Sequence, residues 1–142
     1  MTVHLRQIGI DAENARGLAT FYKTLVGGEY RPGDAPPADG SDDDAEWVTF
    51  STAGGVDLTF QQVAELPRVT WPSGPRGQQM HLDFTVADAQ ELERQRAWAV
   101  ASGATVLDDQ SADFEKPLYV FADPEGHPFC IHVRRTPADL TA

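Results

Sequence analysis

The sequence has a single cysteine, Cys130, in 142 residues, so no internal disulfide framework can staple it and its stability must come from a packed core. A chain of this length buries roughly two thirds of its unfolded surface, which is enough. No apolar run approaches the roughly 20 residues of a membrane-spanning helix, and the expectation is a soluble chain with no membrane partner. Positive charge is scarce. Eleven Lys and Arg against 22 Asp and Glu leave a formal charge of −11, and without clustered cations nucleic acid is set aside as a partner. The opening Met1-Thr2-Val3-His4-Leu5-Arg6 lacks a charged n-region, an apolar h-region and a small-residue cleavage site, which points to the cytoplasm. Also missing are a Gly-x-Gly-x-x-Gly turn, a Gly-Lys-Ser/Thr phosphate loop, a Gly-x-Ser-x-Gly elbow and a Cys-x-x-Cys pair, so the chemistries those motifs support are set aside.

What is present is a repeated order of elements. Val3 to Ile10 reads as a strand. Leu18, Phe21, Tyr22 and Leu25 then form an apolar stripe at helical spacing, with Glu13 or Asn14 as cap and Gly27-Gly28 as stop. Pro32 to Ala45 holds three prolines, two glycines and an acidic run, and reads as an exposed, solubilising loop. Glu46 to Thr52 and Val56 to Val63 alternate on either side of Ala53-Gly54-Gly55, a hairpin pattern. After a connecting segment the order returns: a strand over Met80 to Val86, a helix opened by Asp88 with Glu91 three residues on and closed near Gly103, and short strands at Ala104–Leu107, Leu118–Ala122 and Pro128–Val133. Asp123-Pro124-Glu125-Gly126 is the turn before the last strand, and the tail after Arg134 is expected to fray. The expected class is α+β: a single domain of two tandem βαβββ modules, module one over 3–63, a connecting segment over 64–79 and module two over 80–134. One helix covers only one face of each sheet, so the other face is expected to curve around a cup-shaped cavity.

Strand alternation then says what lines that cup. Leu82, Phe84 and Val86 belong to the helix side, which leaves His81, Asp83 and Thr85 facing inward. Leu58 and Phe60 oppose Asp57, Thr59 and Gln61; Phe129 and Ile131 oppose Cys130 and His132; Gln7 takes the inward parity of the first strand. Trp47, Trp71 and Tyr119 could give a flat ligand an aromatic wall. The candidate ligand-binding residues are thus Gln7, Trp47, Asp57, Thr59, His81, Asp83, Tyr119, Cys130 and His132.

Gln7-Ile8-Gly9-Ile10, the Phe21-Tyr22 pair before a Gly-Gly break, Met80-His81-Leu82-Asp83-Phe84 and Asp123-Pro124-Glu125-Gly126-His127-Pro128-Phe129-Cys130 resemble the glyoxalase-like branch of the vicinal oxygen chelate group. That group contains glyoxalases, bleomycin-resistance proteins and extradiol dioxygenases. The resemblance implies a homodimer. It also implies four places for ligands of a divalent metal, which fall here on Gln7, Asp57, His81 and Cys130. Asp57 is a carboxylate shorter than the usual Glu, and Cys130 brings a soft donor that suits zinc. The simplest reading of Cys130 is nevertheless a small buried hydrophobe, and His81 serves equally as ligand or hydrogen-bonding residue.

Three readings follow. The first is a small-molecule binding protein of the bleomycin-resistance type, its ligand held in a polar cup without a required metal. The second is a divalent-metal-dependent lyase, epimerase or dioxygenase. The third is a non-catalytic interaction scaffold. Gln7 and His81 favour the second, whereas Asp57 and Cys130 favour the first, which is preferred.

Overall fold

The computed structural model describes residues 2–134; the expected frayed tail lies outside them. The chain divides into two compact units, one up to Leu66 and one from Pro67 onward. Each carries one helix and one four-stranded mixed sheet, so the chain is two tandem βαβββ modules of the α+β class.

Unit one runs β1 (Ile8–Ala12), α1 (Ala15–Val26), β2 (Gly28–Tyr30), β3 (Trp47–Thr52) and β4 (Asp57–Gln62), in the sheet order β1-β4-β3-β2. β1 lies parallel to β4 and the remaining pairs are antiparallel. The apolar stripe of α1 explains its docking: Leu18, Phe21 and Tyr22 are buried, and the Tyr22 ring stacks 5.8 Å from Phe60, itself 6.1 Å from Phe50. Asn14 caps the helix through Gly17 N–H, and Gln62 at the end of β4 accepts from Ala15 N–H and donates to the Glu13 carbonyl.

The first strand starts at Ile8 rather than Val3, because β4 offers a partner only from Leu58 onward; Val3 and Leu5 are 80% and 81% exposed. β2 was not anticipated: three residues, Gly-Glu-Tyr, are too short to show alternation, yet they complete the sheet against Ser51 and Phe50.

The acidic loop is pinned from α1 by Arg16 and from β3 by Thr49. Arg16, 9% exposed on α1, donates to both carboxylate oxygens of Asp43 at 3.2 and 2.8 Å and to the Asp34 carbonyl at 2.6 Å, while Asp34 Oδ2 accepts from Thr49 N–H at 2.9 Å. The hydrogen bond from Arg16 holds the Asp43 carboxyl below its ordinary range. Asp43 therefore contributes stability that is complete above about pH 5, where the unfolded carboxyl is almost fully ionised, and that is lost progressively as pH falls through the lower folded value. Asp43→Asn is expected to flatten the fall in urea-unfolding stability below about pH 5 and to lower stability at pH 7; an unchanged slope would mean the pair contributes nothing.

Unit two repeats the order with β5 (Leu82–Val86), α2 (Ala89–Ala101), β6 (Thr105–Asp109), β7 (Leu118–Ala122) and β8 (Pro128–Val133), arranged β5-β8-β7-β6. β5 and β8 are parallel, and the other two pairs are antiparallel. Asp88 caps α2 by accepting from Glu91 N–H at 2.8 Å. β5 begins at Leu82, leaving Met80 exposed, and β6 runs to Asp109 with a register shift between Val106 and Asp108, past the expected end at Leu107. The core is aromatic: Phe129 stacks 4.9 Å from Phe121 and meets Phe84 edge-on at 6.1 Å. Arg68, from the segment read as a connector, donates to the Pro124 carbonyl at 2.8 Å. Among the described residues no helix is long and apolar enough to cross a membrane.

Candidate functional site

In unit one, α1 covers the face carrying Phe50 and Phe60, so the opposite parity presents Trp47, Thr49 and Ser51 from β3 with Asp57, Thr59 and Gln61 from β4. Thr49 and Thr59 are buried and share a 2.7 Å hydroxyl hydrogen bond across the ladder. Trp47 is half exposed at the rim of that face. Gln7 precedes β1 and is brought to Asp57 through an intermediary: Arg31, whose backbone N–H extends the β2–β3 ladder by donating to the Thr49 carbonyl at 3.0 Å. Its guanidinium donates to Gln7 Oε1 at 3.0 Å and stands 3.8 Å from Asp57 Oδ2, while Ser51 donates to Asp57 Oδ1 at 2.6 Å. Sequence reading missed Arg31. The available signal was Glu29-Tyr30-Arg31, a polar–apolar–polar alternation directly after the helix stop.

In unit two, Asp83 lies opposite Cys130 and Thr85 opposite His132. The Asp83 carboxylate is the hub. Its Oδ1 is 3.2 Å from His132 Nε2 and its Oδ2 is 3.4 Å from His81 Nε2. Ligand atoms of His81, Asp83 and Cys130 all fall within 4.8 Å of one another. Burial, reinforced by the negative charge of Asp83, pushes the Cys130 thiol up to about 12, so without a cation it is a protonated, unreactive thiol. Tyr119 is placed on the other face of this sheet: its hydroxyl donates to Glu93 of α2 at 2.6 Å and its ring lies under Arg96. Trp71 belongs to neither strand face; it lies in the segment before β5. A cavity of about 320 Å³ opens beside Asp83 and His132 within this unit.

The profile of the glyoxalase-like domain family matches residues 7–132, nearly the whole described chain. The chain belongs to the glyoxalase-like domain family. It is thereby a member of the vicinal oxygen chelate superfamily. No curated protein matches it significantly. Among solved structures it is similar to a glyoxalase/bleomycin resistance protein/dioxygenase family enzyme from Burkholderia phytofirmans PsJN, with TM-score 0.66 and 17% identity, over 92% of this chain and 98% of the other. It is also similar to the genomically encoded fosfomycin resistance protein of Listeria monocytogenes, solved with Mn(II) and sulfate, with TM-score 0.65 and 16% identity over 100% of both chains. A glyoxalase/dioxygenase from Nostoc punctiforme gives TM-score 0.63 and 18% identity over 94% of this chain and 92% of the other. At such identities the likeness shows the fold alone.

Against this glyoxalase-like frame, the four positions implied for a metal separate into two kinds. Gln7 and Asp57 do not fit: the guanidinium of Arg31 is already bonded to one and beside the other, and a divalent cation drawn to them would meet its like charge. His81 and Cys130 fit better, but with Asp83 as their third donor, a residue outside the implied set.

Proposed function

We propose that this glyoxalase-like protein binds a small organic molecule on its polar sheet faces without requiring a metal. The observation that carries the reading is Arg31: a fixed organic cation, held by Gln7 and near Asp57, supplies the positive charge that a metal would bring to those positions. A guanidinium offers five donors in a planar fork, so it can orient a carboxylate or carbonyl of a ligand while retaining its contact with Gln7.

The test uses protein purified without an affinity tag, analysed for metal as purified and then screened for ligands before and after chelator treatment. A ligand-observed NMR screen of small aromatic and aliphatic acids and amides is expected to yield ligands that bind equally with and without chelator, and metal analysis is expected to give well below one ion per chain. Binding that appears only after zinc, manganese, nickel or iron is added, at one ion per chain, would overturn the reading.

One observation favours a second reading, in which a divalent metal is bound and supplies Lewis-acid polarisation of a ligand oxygen. The trio of His81, Asp83 and Cys130 would hold it, with the thiol and imidazole selecting zinc over harder cations. In that case Asp83→Asn and Cys130→Ser lose zinc while Asp57→Asn keeps it.

A further inference from the structure

The cavity in unit two lies on the face that α2 leaves uncovered, and its rim carries a charge arrangement that the fold does not need. Leu118 pairs with His132 across the β7–β8 ladder, and Val133 N–H donates to the Pro117 carbonyl at 3.1 Å. Continuing that antiparallel register one step further sets Lys116 opposite Arg134. Both line the cavity, together with His132 and the apolar side chains of Pro117 and Leu118. Like charges directly opposite one another on a ladder repel and lower stability.

Among the described residues no carboxylate is ion-paired with either cation. In a chain with twice as many acids as bases, Arg16, Arg31, Arg94 and Arg96 each stand against a carboxylate. Among the described residues the side chains of Lys116 and Arg134 have no such partner. The one acid in the cavity wall, Asp83, is already engaged by His132 and His81. Two cations without a carboxylate partner among the described residues therefore border a concave, largely apolar space, and together they outweigh the single carboxylate of Asp83 in its wall, which favours an anion. The volume of about 320 Å³ lies at the lower end of small-molecule sites.

We infer that this cavity takes a small organic anion, a carboxylate, phosphonate or phosphate ester with a compact apolar body, its charged head between Lys116 and Arg134 and its body on Pro117 and Leu118. The inference rests on the reading of the protein as a small-molecule binder and names the ligand class. Thr85 lines the same cavity and offers a hydroxyl to a polar group on the ligand body, whereas His132 Nε2 is already held by Asp83.

Benzoate and phenylphosphonate serve as probes, with benzamide as the neutral counterpart of benzoate, titrated into chelator-treated and zinc-supplemented protein and followed by amide NMR shifts. Either anion is expected to saturate with shifts centred on Leu118 and Val133, and benzamide to bind about tenfold more weakly. Comparing benzoate with phenylphosphonate distinguishes a carboxylate from a phosphonate head. Lys116→Glu is expected to weaken anion binding by about tenfold or more while keeping or raising thermal stability, because it turns a like-charge pair into a cross-strand ion pair. Arg134→Glu is expected to do the same. Equal binding of benzamide and benzoate, unchanged affinity in Lys116→Glu, or no binding of either anion in both preparations would overturn the inference. Anion-selective binding confined to the zinc-supplemented protein would overturn the metal-free reading, and would overturn the inference as well unless Lys116→Glu weakens that binding.

Discussion

Gly28→Ala is expected to unseat β2 and to remove Arg31 from Gln7 and Asp57, with a loss of stability out of proportion to one methyl group. Gly28 has φ near +130°, and a Cβ there would lie 2.0 Å from the Ser51 carbonyl oxygen, a backbone atom that cannot step aside without breaking the β2–β3 ladder. The disfavoured dihedral alone costs about 1–3 kcal/mol, and the displaced strand adds to it. Urea unfolding should register this cost, and hydrogen exchange at Tyr30 and Arg31 should accelerate even under native conditions. Gly54→Ala is the control. A Cβ at Gly54 meets only Thr52 Oγ1 at 3.9 Å, so stability should move by less than about 0.5 kcal/mol. Equal behaviour of the two variants would mean that β2 contributes no order to Arg31.

Phe129→Ala carries the largest expected stability cost in unit two. The ring is fully buried, stacked on Phe121 and edge-on to Phe84, so its loss removes apolar contact and leaves a cavity the strands cannot close. Such truncations cost about 3–5 kcal/mol, a large share of the roughly 5–15 kcal/mol that stabilises a domain, and correspond to a fall in Tm of about 10 °C. A chemical readout accompanies the thermal one. Cys130 follows Phe129 in β8 and is 6% exposed, with its thiol pushed up to about 12. In the native protein it should resist a thiol reagent at pH 8, and in Phe129→Ala it should react quickly as unit two opens. Fast labelling of the native protein would contradict the burial described for β8.

How far the sequence disclosed all this depended on the length and regularity of each element. α1, β7 and β8 were readable because a helical apolar stripe in α1 and apolar runs in β7 and β8 fill each element, and glycine, proline or turn residues stand at one or both ends. The alternation on β5 and β8 also puts Asp83, Cys130 and His132 on one face, as the ladder does. β1 was expected to begin at Val3, five residues before its start at Ile8, because Val3 and Leu5 alternate well but have no partner strand; pairing, not pattern, decides where a strand begins. Arg31, Lys116 and Arg134 went unread for a related reason. Each stands just beyond the end of a strand, where a charged residue resembles loop, although the ladder or its register carries its side-chain direction onward. Tyr119 was assigned to the ligand wall from its ring alone, whereas its odd position relative to Leu118 and Val120 sends it to Glu93 on the helix side.

The closing of each sheet by a parallel pair between its first and last strands has a consequence in time. Ile8 meets Leu58 and Leu82 meets Phe129, so each contact joins residues about 50 positions apart in the chain. Synthesis at roughly 5–20 residues per second leaves the first strand of a module waiting about 3–10 s for its partner to be made. During that interval α1 can form and β2 can pair with β3, but β1 has no ladder to join. Such non-local pairing also places refolding in the slow, millisecond-to-second class. Ile8 and Ile10, harmless once β4 arrives, are therefore the apolar residues of unit one that stay exposed longest on the nascent chain.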